Sequence, residues 1–147
     1  MRLRDVMTHS VYALQPTQSV EEAIRFFIKH GVKGAPVVEK GKVVGLVSEK
    51  DIFRALYPSI TEFYNNPELW MEEAELEGNA KLIAAKSVKD IMTRAVVSAP
   101  PDTPIMQAGA MMLAHRVHRI VVLESGRLLG IATRSDVFKN VFKKFIG

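Results

Sequence analysis

The chain contains no cysteine. Disulfides, thiol nucleophiles and thiolate metal ligands are therefore excluded, and with them the usual structural zinc site. No apolar run approaches the ~18 residues that span a bilayer. The opening "MRLRDVMTHS" carries charges but no apolar signal-peptide core. A soluble, cytoplasmic protein with no membrane partner is the expectation. There is no Walker-type Gly-Lys loop and no nucleophile–base arrangement, so an enzyme is not expected. No catalytic residue, metal ligand or required cofactor is assigned.

What is present is an ordinary globular composition. Of 147 residues, 48% are hydrophobic and 24% charged, which argues against disorder. The net charge is +4, unevenly placed. Residues 57–86 hold six Glu and two Lys and carry −4, which leaves +8 on the rest. A basic body with an acidic insert presents two different surfaces, and a basic body permits polyanion binding without requiring it.

The sequence repeats. "GLVSEKD" at Gly45–Asp51 returns as "GIATRSD" at Gly130–Asp136, 85 positions on. The same offset aligns Asp5–Phe53 with Asp90–Phe138 without a gap, and 14 of the 49 pairs are identical. A gapless match means that both halves use the same element lengths and turns.

Each half opens with a short apolar stretch, "SVYAL" at Ser10–Leu14 and "AVVSA" at Ala95–Ala99. Pro16 or Pro101 follows, then a helix. Ser19 with Glu22 forms a capping-box pattern, and Thr103 is placed as a cap with Pro104 at the first helical position. His30-Gly31 supplies a helix stop. Two Val/Ile/Leu-rich strands come next, joined by turns at Lys40-Gly41 and Ser125-Gly126, and a second helix starts near Asp51 or Asp136. The predicted architecture is α/β (α+β): two pseudo-symmetric repeats, each β-α-β-β-α, packed through their sheets. Their expected bounds are 1–56 and 87–147, with a helical acidic insert over 57–86 between them. A half of about 50 residues is marginal alone, so a second copy adds needed core.

The repeated phrase has a local reading and a functional one. Ser48 and Thr133 are natural N-caps, and Asp51 and Asp136 suit the positive end of a helix dipole. Capping alone does not demand the same Gly and Asp twice. Gly45 and Gly130 stand where a β-carbon would obstruct a close approach. A carboxylate at a helix start can accept two hydrogen bonds from a ribose diol, and the hydroxyl and free N–H groups can hold phosphate. "HRVHRIVVLE" puts His115, Arg116, His118 and Arg119 just before a strand, where "HGVKGAPVVE" offers only His30 and Lys33. These cations either bind phosphate or sit as solvated charges at a helix C-terminus.

The order "DVMT"/"DIMT", Pro, capped helix, "VKGAPVVEKGKVVGLVSEKD" and "VHRIVVLESGRLLGIATRSD" resembles a tandem pair of cystathionine β-synthase (CBS) domains, a Bateman module. The resemblance covers about 100 residues in two blocks. It implies adenine-nucleotide binding in clefts between the repeats, with AMP, ADP, ATP or S-adenosylmethionine as typical ligands. It places Asp51 and Asp136 at ribose, and Ser48 and Thr133 at phosphate or ribose. It also implies Lys33, His118 and Arg119 at phosphate, with Arg134 in the same second phrase. Adenine would lie against Thr8, Val11 and Tyr12, against Thr93 and Val96, and against Ala35-Pro36 or Ile120-Val121. The second site is expected to be the stronger. A homodimer through the CBS pair and an unknown protein effector are the implied partners.

The insert departs from a plain linker. Ser59–Glu62 is a capping-box pattern, Pro67 opens a helix, and Gly78 is read as its stop. Tyr57, Phe63, Tyr64 and Trp70 sit there, read either as packing on the module's own surface or as a dimer contact or lid. "FKNVFKKFIG" reads as the last core helix with a solvated Lys face, with a basic amphipathic helix that touches a membrane or acidic partner as the alternative. The leading function is a stand-alone regulatory module that senses an adenosine ligand and signals by conformational or oligomeric change. A scaffold that binds no nucleotide, and a nucleic-acid-binding module, are the alternatives.

Overall fold

The computed structural model describes residues 1–9, 11–57, 59–70 and 72–147, with the side chains of residues 69 and 70 outside that description. Ser10, expected to open the first strand, and the Trp70 ring therefore lie outside the described residues. The elements run α1 (Leu3–Val6), β1 (Thr8–His9), α2 (Val20–His30), β2 (Gly34–Glu39), β3 (Lys42–Ser48) and α3 (Glu49–Leu56). The insert forms α4 (Ile60–Asn65), a 3-10 turn (Pro67–Trp70) and α5 (Glu73–Ala84). Then come α6 (Val88–Ile91), β4 (Ser98–Ala99), α7 (Ile105–Ala114), β5 (Arg119–Glu124), β6 (Arg127–Thr133) and α8 (Arg134–Ile146).

The 85-residue offset holds at the level of elements. It carries α1 onto α6, β2 onto β5 and β3 onto β6 without a change of length. Both hairpins turn through two residues of positive φ, Lys40 (51°) with Gly41 (78°) and Ser125 (50°) with Gly126 (77°). That is the type I′ geometry whose twist matches the flanking strands. The first long helix of each repeat ends the same way. Val32 N–H donates to Phe27 O at 3.1 Å and Val117 N–H to Met112 O at 3.0 Å, around a left-handed residue, Gly31 or Arg116.

The chain divides into two units. One gathers Met1–Tyr12, Lys40–Val43 and Ala95–Gly147; the other gathers Ala13–Glu39 and Val44–Arg94. In the first, a four-stranded sheet has the order β1-β6-β5-β4, with β4 parallel to β5 and the other pairs antiparallel. Its core is Leu3, Met7, Ala99, Ala108, Met112, Ile120, Val122 and Ala132. In the second, β2 and β3 form a two-stranded sheet, flanked by single bridges Leu14↔Val37 (parallel) and Leu46↔Thr93 (antiparallel). Leu14, Ala23, Phe27, Ala35, Val37, Val47, Val88 and Met92 make its core. The bridges repeat the registers Ala99↔Val122 and Thr8↔Ile131 of the other unit.

The leading segment of each repeat thus packs with the strands of the other. Leu3 N–H donates to Thr103 O at 2.9 Å, and Val88 N–H to Gln18 O at 2.8 Å, the equivalent bond. Leu3 and Val88 are both fully buried.

Several local expectations are corrected. The stretch expected as a first strand is reduced to the Leu14 bridge, and the strand itself is Thr8–His9, because β6 offers Thr8 a partner there. Pro104, not Thr103, is the N-cap of α7, and Thr103 is buried with its carbonyl taken by Leu3. Gly78 does not stop a helix; it lies within α5, which runs on to bury Ile83. Helix α8 buries no residue: Val137 packs against the core, while Phe138, Phe142 and Phe145 are exposed. In the insert Tyr57, Phe63 and Tyr64 are exposed as well, with the Tyr57 ring packed on Phe53 at 4.7 Å between centroids.

Candidate functional site

Each unit builds one copy of the repeated phrase. In the unit holding the second repeat, β6 ends at Thr133, which caps α8. Asp136 N–H donates to Thr133 Oγ1 at 3.1 Å, and Thr133 N–H donates to Asp136 Oδ2 at 2.8 Å. The local capping reading of the phrase is therefore correct as far as it goes. Arg134 ties the first turn of α8 to the loop before β5: its N–H donates to His118 O and its Nε to Val117 O, both at 3.0 Å. Among the described residues, no hydrogen bond reaches Asp136 Oδ1.

The register collects more of the predicted residues on one face. Arg119 stands opposite Thr133, Val121 opposite Ile131, and Thr8 opposite Ile131 from the other side. Directly opposed residues, and alternate residues along a strand, share a face. Thr8, Arg119 and Thr133 therefore share a face with Val121 and Ile131. Ile120, Val122 and Ala132 point the other way, into the core. Val11 and Val96 are half-buried in this unit, and Tyr12 is 65% exposed.

In the other unit Ser48 ends β3 and caps α3. Ser48 N–H donates to Asp51 Oδ2 at 2.8 Å, and the Ser48 hydroxyl donates to the same oxygen at 3.0 Å. Here the second carboxylate oxygen is also taken: Thr93 Oγ1 donates to Asp51 Oδ1 at 3.0 Å. Glu49 N–H donates to Lys33 O at 2.9 Å, so the Lys33 carbonyl braces the helix start while its side chain is exposed. Ala35 lies in the core and Pro36 is fully buried.

The predicted set thus divides in two. Ser48, Asp51, Thr93 and Lys33 gather in one unit; Thr8, Thr133, Asp136, Arg134, His118 and Arg119 gather in the other. Ala35 and Ile120 spend their side chains on the cores, within strands β2 and β5.

The glycines of the phrase now have a cause. A β-carbon on Gly130 would stand 2.6 Å from Thr8 O and 2.8 Å from Met7 Sδ. On Gly45 it would stand 2.6 Å from Met92 Sδ and 3.1 Å from Thr93 O. Each glycine admits the Met-Thr pair that opens the other repeat. Met7 and Met92 were not singled out from the sequence, although the shared "MT" was a signal for them. Among the described residues no cluster of three or more His, Asp or Glu is placed to hold a metal, and no helix is long and apolar enough to cross a membrane.

The family model described as "CBS domain" matches residues 3–58 and 88–143. The uncharacterized protein MJ1426 of Methanocaldococcus jannaschii is 31% identical over 152 residues, covering 95% of this chain and 90% of that one. An inosine-5′-monophosphate dehydrogenase of Korarchaeum cryptofilum is 33% identical over 137 residues, covering 92% of this chain but 22% of the enzyme. Among solved structures, the CBS domain of a CBS-domain-containing membrane protein from Sphaerobacter thermophilus superposes with a TM-score of 0.74 at 28% identity, covering 95% of this chain and 86% of that one. The CBS domain pair of protein MJ0100, solved in complex with 5′-methylthioadenosine and S-adenosyl-L-methionine, shares the fold with a TM-score of 0.76 at 24% identity and 98% coverage of both chains. With both repeats matched by the family model in the order and spacing the sequence displays, the chain belongs to the CBS-domain family.

Proposed function

We propose that the protein is a regulatory module that binds an adenosine-containing ligand, AMP, ADP, ATP or S-adenosylmethionine, at the two hydroxyl–aspartate helix starts. The carrying observation is the Thr133–Asp136 pair, where one carboxylate oxygen is fixed by the cap and the other has no bonded partner among the described residues. Such a carboxylate is oriented before a ribose diol arrives. Arg119, on the same face as Thr133, supplies a cation for phosphate, and His118 precedes it. The Ser48–Asp51 site repeats the arrangement with Lys33 as its cation, but its second oxygen is held by Thr93. The second repeat is therefore the stronger site in this reading. The adenosine compounds bound by the MJ0100 pair support the ligand class.

Signalling would follow from unequal affinity of the ligand for two arrangements of the module. Exposed apolar residues recur at equivalent positions of both repeats, Ile28 with Leu113, Phe53 with Phe138 and Tyr57 with Phe142. These support self-association through the helices of the pair, with a protein effector reading the change. The test is calorimetric titration with each of the four ligands, against an Asp136→Ala variant. Saturable binding that the variant weakens supports the reading. No heat and an unchanged melting temperature with all four would leave a ligand-free scaffold as the better account.

A further inference from the structure

Two segments break the repeat, and the ligand sites use neither. The first is the insert. The second is the end of α8: helix α3 stops at Leu56, whereas α8 continues to Ile146, five residues past the position equivalent to Leu56. Both segments leave large apolar side chains in solvent. In α4, Ile60 is 77% and Tyr64 75% exposed, with Phe63 edge-on to Tyr64 at 5.7 Å between centroids. At the end of α8, Phe145 and Ile146 are each 79% exposed.

Helix α4 and the end of α8 leave these apolar side chains without cover among the described residues. Helix α4 has six residues and buries none; α8 has thirteen and also buries none. Isolated helices shorter than about 12–15 residues are marginal in water and rely on packing of an apolar face. Each therefore calls for a cover, and their charges differ in sign. The insert displays Glu62, Glu68, Glu72, Glu73, Glu75 and Glu77, all exposed. The part of α8 beyond Asp136 displays Lys139, Lys143 and Lys144 and no acidic side chain.

We infer that each segment is the cover for the other, contributed by a second copy of this chain. Helix α4 of one copy lies on the terminal turns of α8 of its partner. Ile60 and Tyr64 meet Phe145 and Ile146, and the insert glutamates face Lys143 and Lys144. The inference rests on the self-association read above and adds to it a reciprocal clasp, two per dimer, that the ligand sites do not require. Opposite charge at the rim would set the register and speed encounter.

The test is sedimentation analysis of the full chain and two charge reversals, Glu62→Lys with Glu68→Lys, and Lys143→Glu with Lys144→Glu. All four side chains are exposed, so the fold is expected to survive, checked by circular dichroism. Each reversal alone is expected to weaken dimerisation about tenfold or more, and an equimolar mixture of the two to restore it, because the heterodimer regains attraction at both clasps. A disulfide formed on mixing Tyr64→Cys with Phe145→Cys chains would add geometric support, since the native sequence has no cysteine to compete. A chain monomeric at every concentration, a dimer indifferent to both reversals, or a mixture as weak as its components would each overturn the inference. Ligand titration of the same reversals is expected to match the wild type. A loss of ligand binding in all chains would count against the proposed function and leave the clasp standing.

Discussion

At the scale of single residues, the two phrase glycines face different obstacles. The β-carbon of Gly130→Ala would meet a backbone oxygen, Thr8 O, at 2.6 Å, which cannot move without breaking the β1–β6 pairing. The β-carbon of Gly45→Ala meets chiefly the end of the Met92 side chain, which can rotate away. Gly130→Ala is therefore expected to destabilise by about 1–3 kcal/mol and Gly45→Ala by distinctly less. Urea denaturation of the two variants checks the order. The two aspartates differ in a similar way. Thr93 donates to Asp51 Oδ1, so a ribose hydroxyl at the proposed first site would compete with it for that oxygen. Thr93→Val removes that competitor and is expected to tighten ligand at the first site several-fold, the worth of one net hydrogen bond. Weaker binding in Thr93→Val, measured in an Asp136→Ala background, would instead make the hydroxyl a direct ligand contact.

At the scale of elements, the repeats share a helix ending but not the residue that suits it. Gly31 takes the left-handed position after α2 without cost, whereas Arg116 takes the same position after α7 at φ 55°. A non-glycine residue there costs about 1–2 kcal/mol. Arg116→Gly is expected to raise stability by roughly 1 kcal/mol in thermal or urea unfolding. A loss of stability would mean that the Arg116 side chain makes a contact worth more than the strain. The same elements show what could be read in advance. The hairpins and their flanking strands were legible because Gly41 and Gly126 mark type I′ turns between apolar runs. The starts of α3 and α8 were legible from Ser48 and Thr133. Strand β1 was not, since two residues carry no periodicity and Thr8–His9 is a strand only by pairing with Ile131 and Gly130. Gly78 misled because a glycine stops a helix only where the chain needs positive φ, and here the apolar residues of α5 continue past it to Ile83. Helix α8 misled because a Phe stripe reads the same whether its cover is the chain's own core or another surface.

At the scale of the whole molecule, the repeat pattern located the two phrases but not which segments gather around each. An 85-residue offset aligns each leading segment with its own repeat, and no local signal announces the exchange. It appears only in the long-range bonds, such as Leu3 N–H to Thr103 O, and in Leu3 lying in one core with Ile120 and Val122. Leu3→Ala should cost about 2–5 kcal/mol. Its effect on hydrogen exchange should fall first on residues 119–133, which share its core, rather than on residues 34–48. Faster exchange over 34–48 alone would contradict the exchange of leading segments.

In the proposed function the two hydroxyl–aspartate helix starts are two unequal adenosine sites. Calorimetric titration of the nucleotide-stripped chain, beside Asp51→Ala and Asp136→Ala, separates the two. At least one of AMP, ADP, ATP and S-adenosylmethionine is expected to bind saturably. Asp136→Ala should abolish the tighter phase, and Asp51→Ala should spare it. Equal loss in both variants would contradict the inequality, and binding unchanged in both would contradict the assignment of the aspartates to ribose.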